Sequence, residues 1–567
     1  MLNRILYYYK KEMKLLTYFL VSSFIVTGLD LFGPVLVQRL IDDVIPTKAL
    51  NVFFSYSVVL LIIYIGRLLL SLYSSSRGQL MGNKIKSRMR DDLFEKIMNQ
   101  PTKFFNDRQS GDIISRVTND LENTSALLYR GLEDFLFSIL SIIGALILMT
   151  RFNIKLTIFT MIPLPFAIYF TIYQNKKLKK GYVNIRKNMS KMTSRVHNTL
   201  RVIFFVKDNN LEEEKLNKFK KTNEDLLEVE KGNIYNISAL MSGVNFYNQL
   251  TQLIVIFVGG YLHIKGELSL GIIITFILLT NRFRVYLLRL MGLIDVFQRG
   301  ITGIERFKEI IDLPQEEAGY KRLLKNVENI KFQDITFSYK GENLFENLSI
   351  FINKGEKVAF VGESGVGKTT LISLLKRNLS PILGKVLINN EILTNIKKED
   401  YRDKIGVVDQ NEHIINDTLI ENMRIINREA TDEDIEKALN LACLEDVVNK
   451  LENKKETLLG EGGVNLSSGQ KQRIALARLF LKNPDVVFLD EATSALDNIL
   501  ENKIIKNINE RFKDKIIISV AHRLNTLKEF DKIFVLGKKG IIEVGNFEQL
   551  LLNKGIFYKM YMGDEKA

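Results

Sequence analysis

The chain has 567 residues, 46% of them hydrophobic and 25% charged, a balance that excludes a disordered or collagen-like polymer and leaves room for about two to four domains. Its net charge of +14 is unevenly spread: residues 326–567 carry 35 Lys and Arg against 37 Asp and Glu, which leaves 44 against 28 for the first 325. The basic half also holds the long apolar runs, so its charge points to a membrane surface before nucleic acid, and one cysteine (Cys443) with four histidines excludes a disulfide framework and argues against a zinc site.

In chain order, six segments are long and apolar enough to cross a bilayer core: roughly 15–40, 52–80, 126–150, 154–176, 236–262 and 266–292. The first is too long for a signal peptide and lacks a small-residue cleavage site, so it reads as a retained helix. Basic residues cluster before the first span (Lys10, Lys11, Lys14), between the second and third (Lys84 to Arg116) and between the fourth and fifth (Lys176 to Lys231). These face the cytoplasm by the positive-inside bias, which leaves "IDDVIPTKALN", "RFNIK" and "HIKGELS" outside. Both long cytoplasmic connections carry helical patterns, as in "KIKSRMRDDLFEKIMNQ" and "NLEEEKLNKFKKTNEDLLEVEK", and the spans are predicted to continue through them. Such extensions act either as levers on a cytoplasmic partner or as solvated charged faces.

Polar residues inside spans are costly and therefore mark candidate sites. Asn245, Asn248, Gln249 and Gln252 recur at helical spacing on one face of the fifth span, either lining a hydrated cavity or bonding to neighbouring helices. Asp30, Arg67, Arg282 and Arg284 fall near one depth when ~1.5 Å per residue is counted from the outer helix ends. They form either a cationic patch in a pathway for acidic or zwitterionic cargo, or helix ends whose arginines reach headgroups.

After "DLPQEEAG" the pattern changes to short β-rich runs separated by helices, an α/β domain with a mainly parallel sheet. "VAFVGESGVGKTTLISLL" is a strand, a Gly-rich loop and a helix start, the context a phosphate loop requires. In it Gly362, Glu363, Ser364, Gly365, Val366 and Gly367 curl backbone amides round the phosphates, Lys368 adds mobile charge, Thr369 supplies a hydroxyl for Mg2+, and Thr370 opens the helix. "DVVFLDEATSALD" is an apolar strand ending in Asp490, suited to the magnesium shell, and Glu491, suited to orient an attacking water. "NLSSGQKQRIALARLFL" opens a strong helix at Ser467, Gly469 and Gln470, a second anion site that needs another nucleotide.

In this order, these motifs resemble those of an ATP-binding-cassette exporter subunit with a type I (type IV) transmembrane fold, over essentially the whole chain. The resemblance implies an all-α six-helix transmembrane domain (1–312), a linker (313–329) and an α/β ATP-binding cassette (330–567). It assigns Tyr339 to adenine stacking, Gln410 to linking magnesium with the transmembrane contact, Ser467, Gly469 and Gln470 to the signature, Asp497 to the dimer-contact loop, and His522 to the γ-phosphate. "FFNDRQSGDIISR" and "TLRVIFFVKDNN" resemble coupling-helix regions. Ser468 and Gly462 depart from the family pattern, the first for a glycine and the second where arginine is common.

ATP and Mg2+ are the implied cofactors, and the partners are a second half-transporter, membrane lipids and an amphipathic substrate, with no nucleic acid. The expectation is an ATP-driven exporter of a drug, lipid or peptide, multi-pass in a bacterial plasma membrane, with the N-terminus and ATPase domain cytoplasmic. No Cys/His peptidase is expected before the first span, since only about 14 residues precede it. An intact Glu491 favours a homodimer. The alternatives are the competent subunit of a heterodimer and a nucleotide-gated channel or sensor that does not pump.

Overall fold

The computed structural model describes residues 2–316, 318–339, 342–409, 412–460, 463–521 and 524–564. It divides into two compact units: Met1–Met98 with Ser110–Leu313, and Asn99–Gln109 with Pro314–Ala567.

The first unit is helical throughout. Its six long helices are α1 (Met13–Arg39), α2 (Leu50–Met98), α3 (Leu132–Phe152), α4 (Leu164–Arg201), α5 (Glu212–Ile264) and α6 (Leu270–Ile311). At ~1.5 Å per residue, the 49 residues of α2 and the 53 of α5 run far beyond a bilayer core of about 30 Å, so the basic connections are continuous with the spans. Among the described residues five helices are long and apolar enough to span a membrane. The sixth expected span, within α5, falls short because its amides interrupt the apolar run.

Apolar packing joins the spans: Met149, Leu156, Val255, Phe276 and Leu279 form one buried cluster. Polar pairs fix the contacts further. Asp42, just after α1, accepts hydrogen bonds from the Gly271 amide (2.8 Å) and the Ser269 hydroxyl at the start of α6. Buried Arg116 binds Asp112 at 2.9 Å, and Glu309 and the Arg306 carbonyl of α6 at 2.7 and 3.1 Å.

The second unit contains two sheets. One is antiparallel, in the order β2 (Glu342–Asn353), β1 (Asn329–Tyr339), β4 (Leu383–Ile388), β5 (Glu391–Ile392). The other, in the order β10-β9-β3-β8-β7-β6, comprises β3 (Lys357–Gly362), β6 (Ile405–Val408), β7 (Val486–Asp490), β8 (Ile516–Val520), β9 (Lys532–Gly537) and β10 (Gly540–Gly545). It is parallel except for the hairpin β9/β10, as the sequence leads one to expect, whereas the antiparallel sheet is an addition. β3 and β7 read as unbroken apolar runs because the parallel sheet is covered on both faces. The order β3-β8-β7 places the end of β8 between the phosphate loop and the acidic pair, so all three open at one edge. The segment Asn99–Gln109 clusters with this unit, and its Thr102 hydroxyl donates to the Asn378 side chain at 3.2 Å.

Candidate active site

The phosphate loop leaves the buried strand β3 through two left-handed glycines, Gly365 (φ 83°) and Gly367 (φ 109°). A Cβ on Gly367 would also lie 2.5 Å from the buried Phe345 ring, so a side chain is excluded there on two counts. Glu363, Ser364, Gly365 and Thr369 are exposed, Gly362, Val366 and Gly367 are half-buried, and Thr370 turns into the domain. Lys368, the first residue of helix α7 (Lys368–Leu375), donates to the Gly362 and Glu363 carbonyls at 2.6 and 3.1 Å. Burial holds its ammonium below the usual lysine range, against the opposing pull of Glu491 and Asp490. The loop lysine and both acids therefore share one electrostatic site.

Asp490 ends β7, paired with Val520 of β8. Glu491 follows in left-handed backbone, φ 50°, an uncommon conformation for a residue with a side chain and a cost of about 1–3 kcal/mol. The turn is held because the Glu491 amide donates to the Val520 carbonyl and its carbonyl accepts from the Ser494 amide at 3.1 Å.

Helix α8 (Ser468–Lys482) begins with a capping box: the Ser467 hydroxyl accepts the Gln470 amide at 3.3 Å, and the Gln470 side chain accepts the Ser467 amide at 2.8 Å. Ser467 and Ser468 are exposed, so this positive helix end faces out of the unit. A Cβ on Gly469 would approach the Ala495 carbonyl to 2.8 Å, which explains glycine there. Asp497 caps helix α9 (Asn498–Arg511) through the Ile499 and Leu500 amides at 3.1 and 3.0 Å. Tyr339, at the end of β1, is 53% exposed, and its ring makes a T-shaped contact with Phe337. Gln410, His522 and Gly462 lie outside the described residues. Asp409, just before Gln410, binds Lys376 at 2.8 Å, and Ala521, just before His522, follows Val520, the last residue of β8.

Among the membrane helices the expected set of four charges divides. Asp30, on α1 and 2% exposed, accepts hydrogen bonds from Arg67 of α2, from Arg282 of α6, and from the Tyr286 hydroxyl of α6 at 2.9 Å. Arg284 lies two residues beyond Arg282, about 200° round the helix, and turns instead to α5, where it donates to Asn245 at 3.2 Å. Asn248 donates to Asn281 at 3.1 Å. Of the four amides Asn245 and Gln249 are exposed and Asn248 and Gln252 half-buried; Asn245 and Asn248 bond to α6, and among the described residues Gln249 and Gln252 do not.

Residues 16–287 match the family model described as ABC transporter transmembrane region, and residues 345–494 the one described as ABC transporter. The chain is 32% identical to the uncharacterized ABC transporter ATP-binding protein YwjA of Bacillus subtilis, covering 99% of this chain and 98% of that one. It belongs to the ABC transporters. Other relatives include an ATP-dependent lipid A-core flippase of Syntrophus aciditrophicus (29% identity, 93% and 88% covered) and a fatty acid ABC transporter ATP-binding/permease protein of Mycobacterium bovis (29%, 84% and 76%). The solved structure of a bacterial Atm1-family ABC exporter with ATP bound shares the fold, with a TM-score of 0.81 at 21% identity over 97% and 98% of the chains.

The chain is thus a fused permease and ATPase of the exporter type, in which ATP hydrolysis is coupled to transport, and ABC half-transporters generally work as dimers. One residue of this transporter's site escapes motif reading. Gln472, 4% exposed on α8, donates to the Glu491 carbonyl (3.3 Å) and the Ser494 hydroxyl (3.1 Å) and accepts the Ala495 amide (3.1 Å). The signal in the sequence is slight: a glutamine among the buried residues Ile474, Ala475 and Leu476 of α8.

Proposed function

We propose that this chain forms a homodimer that hydrolyses ATP at two composite sites and exports an amphipathic substrate from the cytoplasmic side of a bacterial plasma membrane. The names of two relatives, a lipid A-core flippase and a fatty acid transporter, favour a lipid-like cargo over a hydrophilic one.

The observation that carries the reading is the convergence of Lys368, Asp490 and Glu491 at one sheet edge, in a chain whose signature helix end is exposed. Lys368 binds the β- and γ-phosphates, and Gly362–Gly367 offers amides around them. Glu491 orients the water that attacks the γ-phosphorus, and Ser467 and Gly469 of the partner subunit complete the site. The oxygen donors Thr369 and Asp490, with Gln410, suit magnesium, which takes hard ligands and retains water. When bound, that ion neutralises charge on the β- and γ-phosphate oxygens.

The test is to purify the chain expressed alone, determine its mass in detergent, and compare magnesium-dependent ATPase activity with Glu491→Gln. An active dimer whose turnover falls at least about a hundredfold in the variant supports the reading. A monomer, or activity unchanged by the substitution, overturns it in favour of a missing partner subunit or a nucleotide-gated role.

A further inference from the structure

We propose that Asp30, Arg67 and Arg282 form an anion site in which the acidic headgroup of an amphipathic substrate competes with Asp30 for the two arginines. The inference rests on the exporter reading and names the chemistry of its cargo.

Charge balance is the first argument. Two guanidiniums, which stay protonated, meet one carboxylate, so the cluster carries a net positive charge within apolar helices, where an unbalanced charge is costly. Among the described residues no second anion binds either arginine.

Geometry is the second. The Asp30 carboxylate is sealed at 2% exposure, whereas the Arg67 and Arg282 side chains are 41% and 29% exposed. Asp30 already accepts four hydrogen bonds, from Arg67 Nε and Nη2, Arg282 and Tyr286, which fills its acceptor sites. Those bonds use three of the roughly ten guanidinium N–H donors. The remaining donors have no protein acceptor among the described residues, and they sit on side chains that are partly exposed, open to a second carboxylate or a phosphate.

The setting supplies the apolar half of the ligand. Tyr286 packs with Val26 and Phe137 in a buried cluster joined by Leu70 and Ile142, an apolar wall beside the charged head. Pro34, one helical turn after Asp30, has no amide to bond the Asp30 carbonyl, so α1 lacks a rung at this point. An arriving anion restores neutrality. It competes with Asp30 for Arg282.

Equilibrium binding to the purified full-length dimer, read by displacement of a fluorescent fatty acid, tests this competition independently of hydrolysis. The probes are a long-chain fatty acid, its methyl ester and inorganic phosphate. The wild type is expected to bind the acid about tenfold more tightly than the ester and to ignore inorganic phosphate at the same concentration. Arg282→Gln should abolish that preference by weakening the acid alone, Arg282→Lys should retain most of it, and Asp30→Asn, which removes the competitor, should tighten the acid severalfold.

Equal binding of acid and ester by the wild type overturns the proposal, as does an Asp30→Asn protein that binds the acid no better; the cluster is then a bridge between three helices. Phosphate displacing the probe as well as the acid does overturns the amphipathic assignment. Because these readings need no turnover, their failure beside an intact Glu491-dependent ATPase sinks this inference alone. Absent ATPase with a preserved acid preference sinks only the exporter reading.

Discussion

At the scale of single residues, the glutamate proposed to orient the attacking water is followed by a turn that a side chain outside the motifs holds. Glu491 sits in a strained left-handed conformation, and Gln472 ties the turn after it to α8 through one amide that both donates and accepts. Gln472→Leu keeps the size of the side chain but leaves the Ala495 amide without this acceptor, a cost of about 1–3 kcal/mol. If that cost falls on the geometry of Glu491, kcat for ATP drops about tenfold or more while KM and nucleotide affinity stay within a few-fold; a merely structural glutamine would lower the amount of folded protein and leave kcat per folded dimer intact. The phosphate loop, Asp490 and Glu491 were legible because their chemistry demands fixed residue types at fixed spacings along one stretch of chain. Gln472 was not, because its acceptors lie 19 and 22 residues away and only the fold brings them to it.

At the scale of elements, the foot of the parallel sheet depends on one buried carboxylate. Asp485 precedes β7, is 6% exposed, and binds Lys515 at 2.7 Å, the Val327 amide at 3.3 Å and Lys404 at 3.5 Å. Burial alone would raise its carboxyl, and the Lys515 ammonium, the Val327 amide and Lys404 together outweigh this to hold it below the usual carboxylate range. A carboxyl with a folded pKa below its unfolded value stabilises above about pH 4 and loses that contribution as pH falls through the folded value. Asp485→Asn should therefore lower the stability of the nucleotide unit by about 1–3 kcal/mol at pH 7, with the gap to wild type closing below about pH 4, as chemical denaturation followed at several pH values would show. The sheet around this residue was legible as unbroken apolar strands. The antiparallel sheet was not, since register shifts between Phe332 and Ile335 and between Ile335 and Phe337 break the alternation of β1 that would have announced it. The membrane half shows the reverse case: hydropathy marks five of the six expected spans among the described residues, and the amides of α5 that lower its apolar character bond in part to α6.

At the scale of the whole molecule, each chain holds one phosphate loop and one motif resembling the signature, and the helix end that carries that motif is exposed. An exposed helix N-terminus with free amides attracts an anion, and in a twofold dimer the available anion is the nucleotide on the partner subunit. Two disabled chains can then rescue one another. Lys368→Ala removes the phosphate lysine, and Ser467→Arg obstructs the signature; each homodimer has two defective sites under either arrangement. In a mixed dimer isolated through two different affinity tags, sites built from both chains put the two defects into one site and leave the other wholly wild type. Sites built within one chain leave a defect in both. ATPase activity of the mixed dimer clearly above that of either parent homodimer therefore requires shared sites, and activity no higher than the parents would mean that each nucleotide is served by its own chain. Because each parent homodimer lacks an intact site under either arrangement and a misfolded chain only lowers activity, misfolding of one variant cannot imitate rescue, and the sign of the result decides how the two halves of the machine are wired together.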